Sequence, residues 1–227
     1  MMIGQSSITN VVSEPRKGNQ MSLIAKAASS GGSFTPVPPG LHLARCYRII
    51  DLGTQKKVWK GQEKLQRQIM VQFEVHSIDD DGNPLLTPNG EPLSISKNYT
   101  LSLNENARLS QDLESWRGNA FTADERKGFD LKKLLGVWAM ISVTKETGND
   151  GNEYTNIANI NPVPASIKKA GLPEGVNDLK LFNINNPDMK LFESLGAKVR
   201  EKIERSPEWQ SKQGKEKFDD SLDDIDF

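Results

Sequence analysis

The stretch RQIMVQFEV, residues 67–75, decides the fold. Ile69, Val71, Phe73 and Val75 alternate with Gln68, Met70, Gln72 and Glu74. That period of two belongs to a strand with one apolar and one more polar face. Toward the N-terminus, residues 41–52 mix β-branched, aromatic and aliphatic side chains without Gly or Pro. They predict a long first strand, and their imperfect alternation implies a bulge or strong coiling. Between these two strands, residues 53–66 read as a basic loop containing Trp59 and Gly61. Toward the C-terminus, residues 95–103 alternate again. Ile95, Lys97, Tyr99, Leu101 and Leu103 share one face, and Ser96, Asn98, Thr100 and Ser102 the other.

Helix signals follow. Asn104 is placed to cap a helix with Leu109, Leu113 and Trp116 at i, i+4, i+7 spacing and Gly118 as its stop. Thr122 and Glu125 form a capping-box pattern. Residues 137–144 read as a strand, residues 148–151 (GNDG) as a tight turn, and residues 154–160 as a last strand ended by Pro162 and Pro164. The order is three strands, a helix and two strands. It predicts a mainly β domain: a five-stranded, partly open Greek-key barrel of the oligonucleotide-binding type (OB-fold), with a helix between strands 3 and 4. A five-stranded sandwich with an inserted helix would read similarly.

The chain of 227 residues fits one domain with appendages. Residues 1–39, with the run SSGGS at 29–33 and Pro36, Pro38 and Pro39, predict a flexible N-terminal arm. Residues 40–165 form the barrel. Residues 166–207 predict a helical extension: Asn186-Pro187-Asp188 opens an amphipathic helix with Leu191, Leu195, Val199 and Ile203 as its stripe, ending near Ser206 and Pro207. Residues 208–227 read as a polar linker and an acidic tail, and both tails are expected to be disordered. No apolar run reaches the ~18–20 residues that span a bilayer.

Enzyme signals are weak. Cys46 is the only cysteine, which excludes an internal disulfide and a Cys-based zinc site. His42 and His76 have no metal-ligand spacing. Asp79-Asp80-Asp81-Gly82 would open a calcium loop only with Gly at position six and Glu at position twelve, where Pro84 and Gly90 stand. The Asp-Gly pair reads as a turn. No P-loop, Rossmann or nucleophile-elbow pattern occurs. The expectation is no metal, no cofactor and no catalysis.

Charge is informative once divided. All 29 basic residues precede Asp219, against 25 acidic ones there, and the last nine residues hold 5 acidic residues and no basic one. A basic body with an acidic terminus points to an anionic ligand. Binding a single strand requires cations that track phosphates and aromatic faces that stack on splayed bases. Lys56, Lys57, Trp59, Lys60 and Lys64 lie within nine residues. Arg45, Tyr47, Arg48 and Arg67 sit on the adjoining strands, Lys97 and Tyr99 on the third strand, and Lys145 and Tyr154 flank the last hairpin. In barrels of this type the middle strands and the first-second and fourth-fifth loops line the groove. These thirteen residues are the predicted DNA-binding set.

The chain ends DDSLDDIDF, residues 219–227. Asp223, Asp224, Ile225, Asp226 and Phe227 resemble the acidic tip of bacterial single-stranded DNA-binding proteins, which typically ends Asp-Asp-Asp-Ile-Pro-Phe. The departure is Asp226 where that family has proline. The resemblance implies that Phe227 enters an apolar pocket on a partner enzyme while the carboxylates meet basic residues around it. Residues 35–165, including LSQDLESWRG at 109–118, are similar to bacteriophage single-stranded DNA-binding proteins. Together these imply a non-catalytic protein of the host-cell cytoplasm. It would coat single-stranded DNA without strong sequence preference during replication and recombination, and recruit replication and recombination enzymes through its tail. An adaptor whose main ligand is a protein, and a metal-dependent nuclease using Asp79–Asp81, are the rival readings.

Overall fold

The computed structural model describes residues 35–59, 61–148 and 150–220, the side chains of Trp59 and of residues 214–220 excepted. Strand outweighs helix in this part. The strands are β1 (Gly40–Trp59), β2 (Gln62–Val75), β3 (Ser94–Thr100), β4 (Trp138–Thr147), β5 (Glu153–Asn161) and β6 (Lys180–Phe182). The helices are α1 (Arg108–Arg117), α2 (Ala123–Lys127), α3 (Ala165–Ala170), α4 (Met189–Ser194), α5 (Ala197–Glu204) and α6 (Pro207–Asp220).

The sheet runs β3-β2-β1-β4-β5, antiparallel throughout, and β6 adds to β1 in parallel where β4 leaves it. The 20-residue β1 pairs with β2 along one edge and with β4 and then β6 along the other, and it is bulged, as its uneven alternation predicted. Register shifts lie between Cys46 and Arg48 and between Asp51 and Gly53, leaving Tyr47 and Leu52 as the extra residues. The predicted barrel does not close. β3 and β5 come near each other, yet no hydrogen-bonded ladder joins them among the described residues. Helix α1 lies across both edges instead. The Arg108 guanidinium donates to the Ala158 carbonyl on β5, and the Trp116 indole donates to the Trp138 carbonyl at 2.9 Å. Leu109, Leu113 and Trp116 are buried as their spacing predicted, and Gly118 ends the helix with φ 72°, the left-handed region that suits glycine.

Two apolar cores lie on opposite faces of β1 and β2. The first holds Ile49, Ile69, Val71 and Phe73 with α1, and Val37, from the predicted flexible arm, is sealed into it. The second holds Ile50, Leu52 and Met70 with Phe182, Ile184, Leu191, Phe192, Ile203 and Trp209. The C-terminal extension therefore covers the outer face of the first two strands. Met70 was its trace in the sequence: one apolar residue on an otherwise polar face.

Four local expectations are corrected. Residues 53–66 are not a loop: β1 continues to Trp59, β2 begins at Gln62, and the hairpin turns at Gly61, with φ 76°. Gly53 does not break the strand but occupies a bulge, where a Cβ would lie 2.4 Å from Ser206 Cβ. The single helix expected over 187–207 is two, because Leu195 is extended and Gly196 precedes α5. Pro207 does not end the extension but starts α6, at the helix position where its missing N–H costs nothing. Residues 208–220, read as linker, are helical, with Trp209 stacked on Phe192 at 4.5 Å.

Candidate nucleic-acid interface

Beyond its contacts with β3 and the extension, the β1–β2 hairpin projects as a two-stranded arm. Gln55 pairs with Gln66, Lys57 with Lys64 and Trp59 with Gln62, so these share one face. Lys56 pairs with Leu65 and Val58 with Glu63 on the other. Lys56, Lys57, Val58, Lys64 and Leu65 are all exposed. Lys57, Val58, Lys64 and Gln66 line a shallow cleft of about 320 Å³. Lys60 and the Trp59 side chain lie outside the described residues.

The lysine-bearing face continues down the sheet. Cross-strand register puts Gln66, Gln68, Met70 and Gln72 of β2 on one side with Thr100, Asn98 and Ser96 of β3. The extension covers Met70, and Gln68 is buried, but Ser96 and Asn98 remain exposed. A polar strip is thus left open along β3. The Thr100 hydroxyl donates to Gln66 Oε1 at 3.1 Å. At the far end the strip enters a cleft of about 390 Å³ lined by Pro36, Gln72, Ser94, Ser96 and, from β5, Glu153, Tyr154 and Thr155.

Two atoms at that end lack partners. Gln72 Oε1 and Arg48 Nε are buried with no hydrogen bond, and Arg48 stands opposite Gln72 in the β1–β2 register. A buried polar atom without a partner costs about 1–3 kcal/mol, so a ligand that supplies one is favoured there. The Arg48 guanidinium lies 5.2 Å from the centre of the Tyr47 ring. Tyr154 is half exposed at the mouth of the cleft. Its hydroxyl donates to Asp150 at 2.5 Å, which lowers the Asp150 carboxyl to about 2 and raises the phenol. Gly148 sits under this ring, where a Cβ would come 2.6 Å from Tyr154 Cε2.

The other predicted residues are used inside the chain. Tyr99 is buried, and its hydroxyl donates to Asp112 at 2.8 Å. Burial, then the Asp112 charge and hydrogen bond, push the Tyr99 phenol up. Lys97 lies 2.7 Å from the same carboxylate and Arg108 2.9 Å from it. Burial lowers the Lys97 ammonium, opposed by Asp112. Alternation had grouped Lys97 with Tyr99 correctly, but their face points inward, where Asp112 of α1 meets them. Tyr47 is buried too; burial raises its phenol, opposed by the Arg48 charge and a hydrogen bond with Ser94. Arg45 is 2.6 Å from the fully buried Glu74 and donates to the Asn177 carbonyl at 2.5 Å. Glu74 also accepts from the Val176 and Asn177 backbone amides and the Asn177 side chain, clamping the extension to the sheet. Arg67 pairs with Asp51, Lys56 with Glu63 and Lys145 with Glu153. Arg48, Lys57 and Lys64 form no ion pair among the described residues.

The structure therefore brings Lys57, Lys64 and Arg48 to one strip with Tyr154 at its end. Sequence reasoning missed Gln66, Gln72, Ser94, Ser96 and Asn98; their signal was the polar half of the alternation in strands 2 and 3. Asp223, Asp224, Ile225, Asp226 and Phe227 lie outside the described residues. The Asp79 carboxylate is held by the Asn83 and Asp81 amides of its own turn, and no group of three or more His, Cys, Asp or Glu is placed to hold a metal ion among the described residues. No described helix is long and apolar enough to cross a membrane. No protein-family model matches the chain, and no curated protein matches it.

Proposed function

We propose that this chain binds single-stranded DNA, without strong sequence preference, along the outward strip of β2 and β3. The observation that carries the reading is the strip itself: amide and hydroxyl groups left uncovered between a cationic arm and a cleft lined by an exposed tyrosine and by Gln72, whose Oε1 has no partner. Lys57, Lys64 and Arg48 supply charge for phosphates. Tyr154 supplies a ring face, and Gln72, Ser94 and Ser96 supply groups that hydrogen-bond base edges. A cleft of about 390 Å³ falls within the range that encloses a small ligand. A base splayed from an unpaired strand can enter it, whereas a stacked, paired base cannot.

The topology supports the same reading. The order β3-β2-β1-β4-β5, with a helix between β3 and β4 laid over the opening, is what an OB-fold has when its third and fifth strands stand apart. The strip lies where such folds take oligonucleotides. In this reading the protein coats exposed strands in the host cell during replication and recombination, and the terminal acidic residues ending in Phe227 dock on a partner enzyme. Equilibrium titration of a labelled oligo-dT, competed with unlabelled oligo-dT or duplex DNA, tests it. Displacement by the single strand at much lower concentration than by the duplex supports the reading. Equal displacement by both, or no binding at low salt, rejects it.

A further inference from the structure

The two ends of β2 carry complementary surfaces. At one end is the arm. Val58 and Leu65 are each 68% exposed and are diagonal neighbours on the arm, Val58 also bordering the lysine-lined cleft. Lys56, Lys57, Lys60 and Lys64 against Glu63 give residues 56–65 a net charge of +3. About 33 Å from Leu65, at roughly 3.3 Å per residue along β2 to Val75, is the connection to β3. Here Ile78, Pro84, Leu86 and Pro92 face Pro173 and Val176 across an apolar cleft of about 300 Å³. Ile78 and Val176 are mostly exposed. The turn of Asp79, Asp80 and Asp81 borders this cleft, and these carboxylates form no ion pair among the described residues. Hydrogen bonds within the turn lower the Asp79 carboxyl.

An apolar pair within a cationic tip and an apolar cleft with an acidic lip fit each other. They cannot meet within one chain, because β2 holds them apart. We propose that copies of this chain associate head to tail, the arm of one seating Val58 and Leu65 in the Ile78–Val176 cleft of the next, its lysines against Asp79–Asp81. Such a contact joins two different surfaces, so it builds an open chain, or a ring where the rotation between copies closes. Charge steers the encounter and the aliphatic pair seals it. The inference does not rest on DNA binding.

Sedimentation of the full chain without DNA tests it, using two charge-reversed variants. One is Lys56→Glu/Lys57→Glu/Lys64→Glu and the other Asp80→Lys/Asp81→Lys. The native chain is expected to show a sedimentation coefficient that climbs with concentration past that of a dimer. Each variant alone, with like charges on both surfaces, is expected to remain monomeric where the native chain associates. An equimolar mixture of the two restores both contacts and regains association, which neither misfolding nor general charge loss can produce. Val58→Ser/Leu65→Ser is expected to weaken association at least about tenfold, since an apolar core carries such contacts. A native chain that stays monomeric, one that stops at a dimer, or a mixture no more associated than its separate components overturns the proposal.

Discussion

Removing Lys57 and Lys64 together separates cations that face a ligand from cations already spent within the fold. Both are exposed, paired across the arm, and without a carboxylate partner among the described residues. Lys145, also counted in the predicted DNA-binding set, lies 2.6 Å from Glu153. Each phosphate contact to a single strand adds about −0.7 to the slope of log K against log salt. Lys57→Ala/Lys64→Ala is therefore expected to make the slope shallower by about 1.4. Between 50 and 200 mM salt that slope difference changes the relative affinity about sevenfold. Arg48→Ala should remove about 0.7 more, because Arg48 likewise has no ion-pair partner among the described residues. Further cations add to the total slope but not to these differences. Lys145→Ala leaves the slope unchanged, because its charge is already neutralised by Glu153. Fluorescence titration of oligo-dT at four or more salt concentrations reads all these slopes. An unaltered slope in the Lys57/Lys64 variant, or an equal drop in Lys145→Ala, would refute the assignment.

Tyr99→Phe removes a buried hydrogen bond to the Asp112 carboxylate, and should cost about 1.5–3 kcal/mol in urea unfolding while leaving oligo-dT affinity unchanged. A large affinity loss with native stability would place Tyr99 at the ligand after all. Glu74→Gln leaves Arg45 uncompensated beneath the extension and should cost about 3–5 kcal/mol at neutral pH. Burial raises the Glu74 carboxyl, but the hydrogen bonds from Asn177, His76 and Arg45 outweigh it, so the folded value lies below the unfolded one. The stability it confers is complete above about pH 4.3 and is lost as pH falls through the lower folded value, so the gap between native and variant must narrow in acid. Gly175→Ala would put a Cβ 1.7 Å from Arg45 Cζ, displacing the guanidinium from Glu74, and should lower stability by about 1–3 kcal/mol. Deleting residues 219–227 removes five carboxylates that compete with phosphates, so oligo-dT binding should tighten, most at low salt.

Periodicity made β3 and α1 legible because each buries one regular face against the first core, and β2 legible because only Met70 interrupts its polar face; β5 was read from the turn before it and the prolines after it. The arm was not legible. Its lysines, glutamines and Gly53 resemble a loop, and only Ser206 packed against Gly53 shows why that glycine sits inside a strand. Alternation also grouped Lys97 with Tyr99 without saying which face of β3 points inward. That depends on Asp112, thirteen residues on, which neutralises Lys97 only after α1 has folded across the sheet edges. For the same reason five of the basic residues assigned to DNA from sequence turn out to be ion-paired within the chain, at Glu74, Glu63, Asp51, Asp112 and Glu153. The polar half of the β2 and β3 patterns, to which the sequence reading assigned no role, lines the strip. The extension was legible as amphipathic, but not as the cover of the Met70 face, because its own spacing does not say which surface Leu191, Phe192 and Ile203 pack on.

Ultraviolet crosslinking of the full chain to oligo-dT, with the attached peptides identified by mass spectrometry, tests the location of the strand most directly. Crosslinks concentrated at residues 55–66, at 94–100 and at Tyr154, and abolished by excess unlabelled oligo-dT, are the expected result. Crosslinks confined to α4–α6, or absent from the arm and from β3 alike, would contradict a strand lying along β2 and β3.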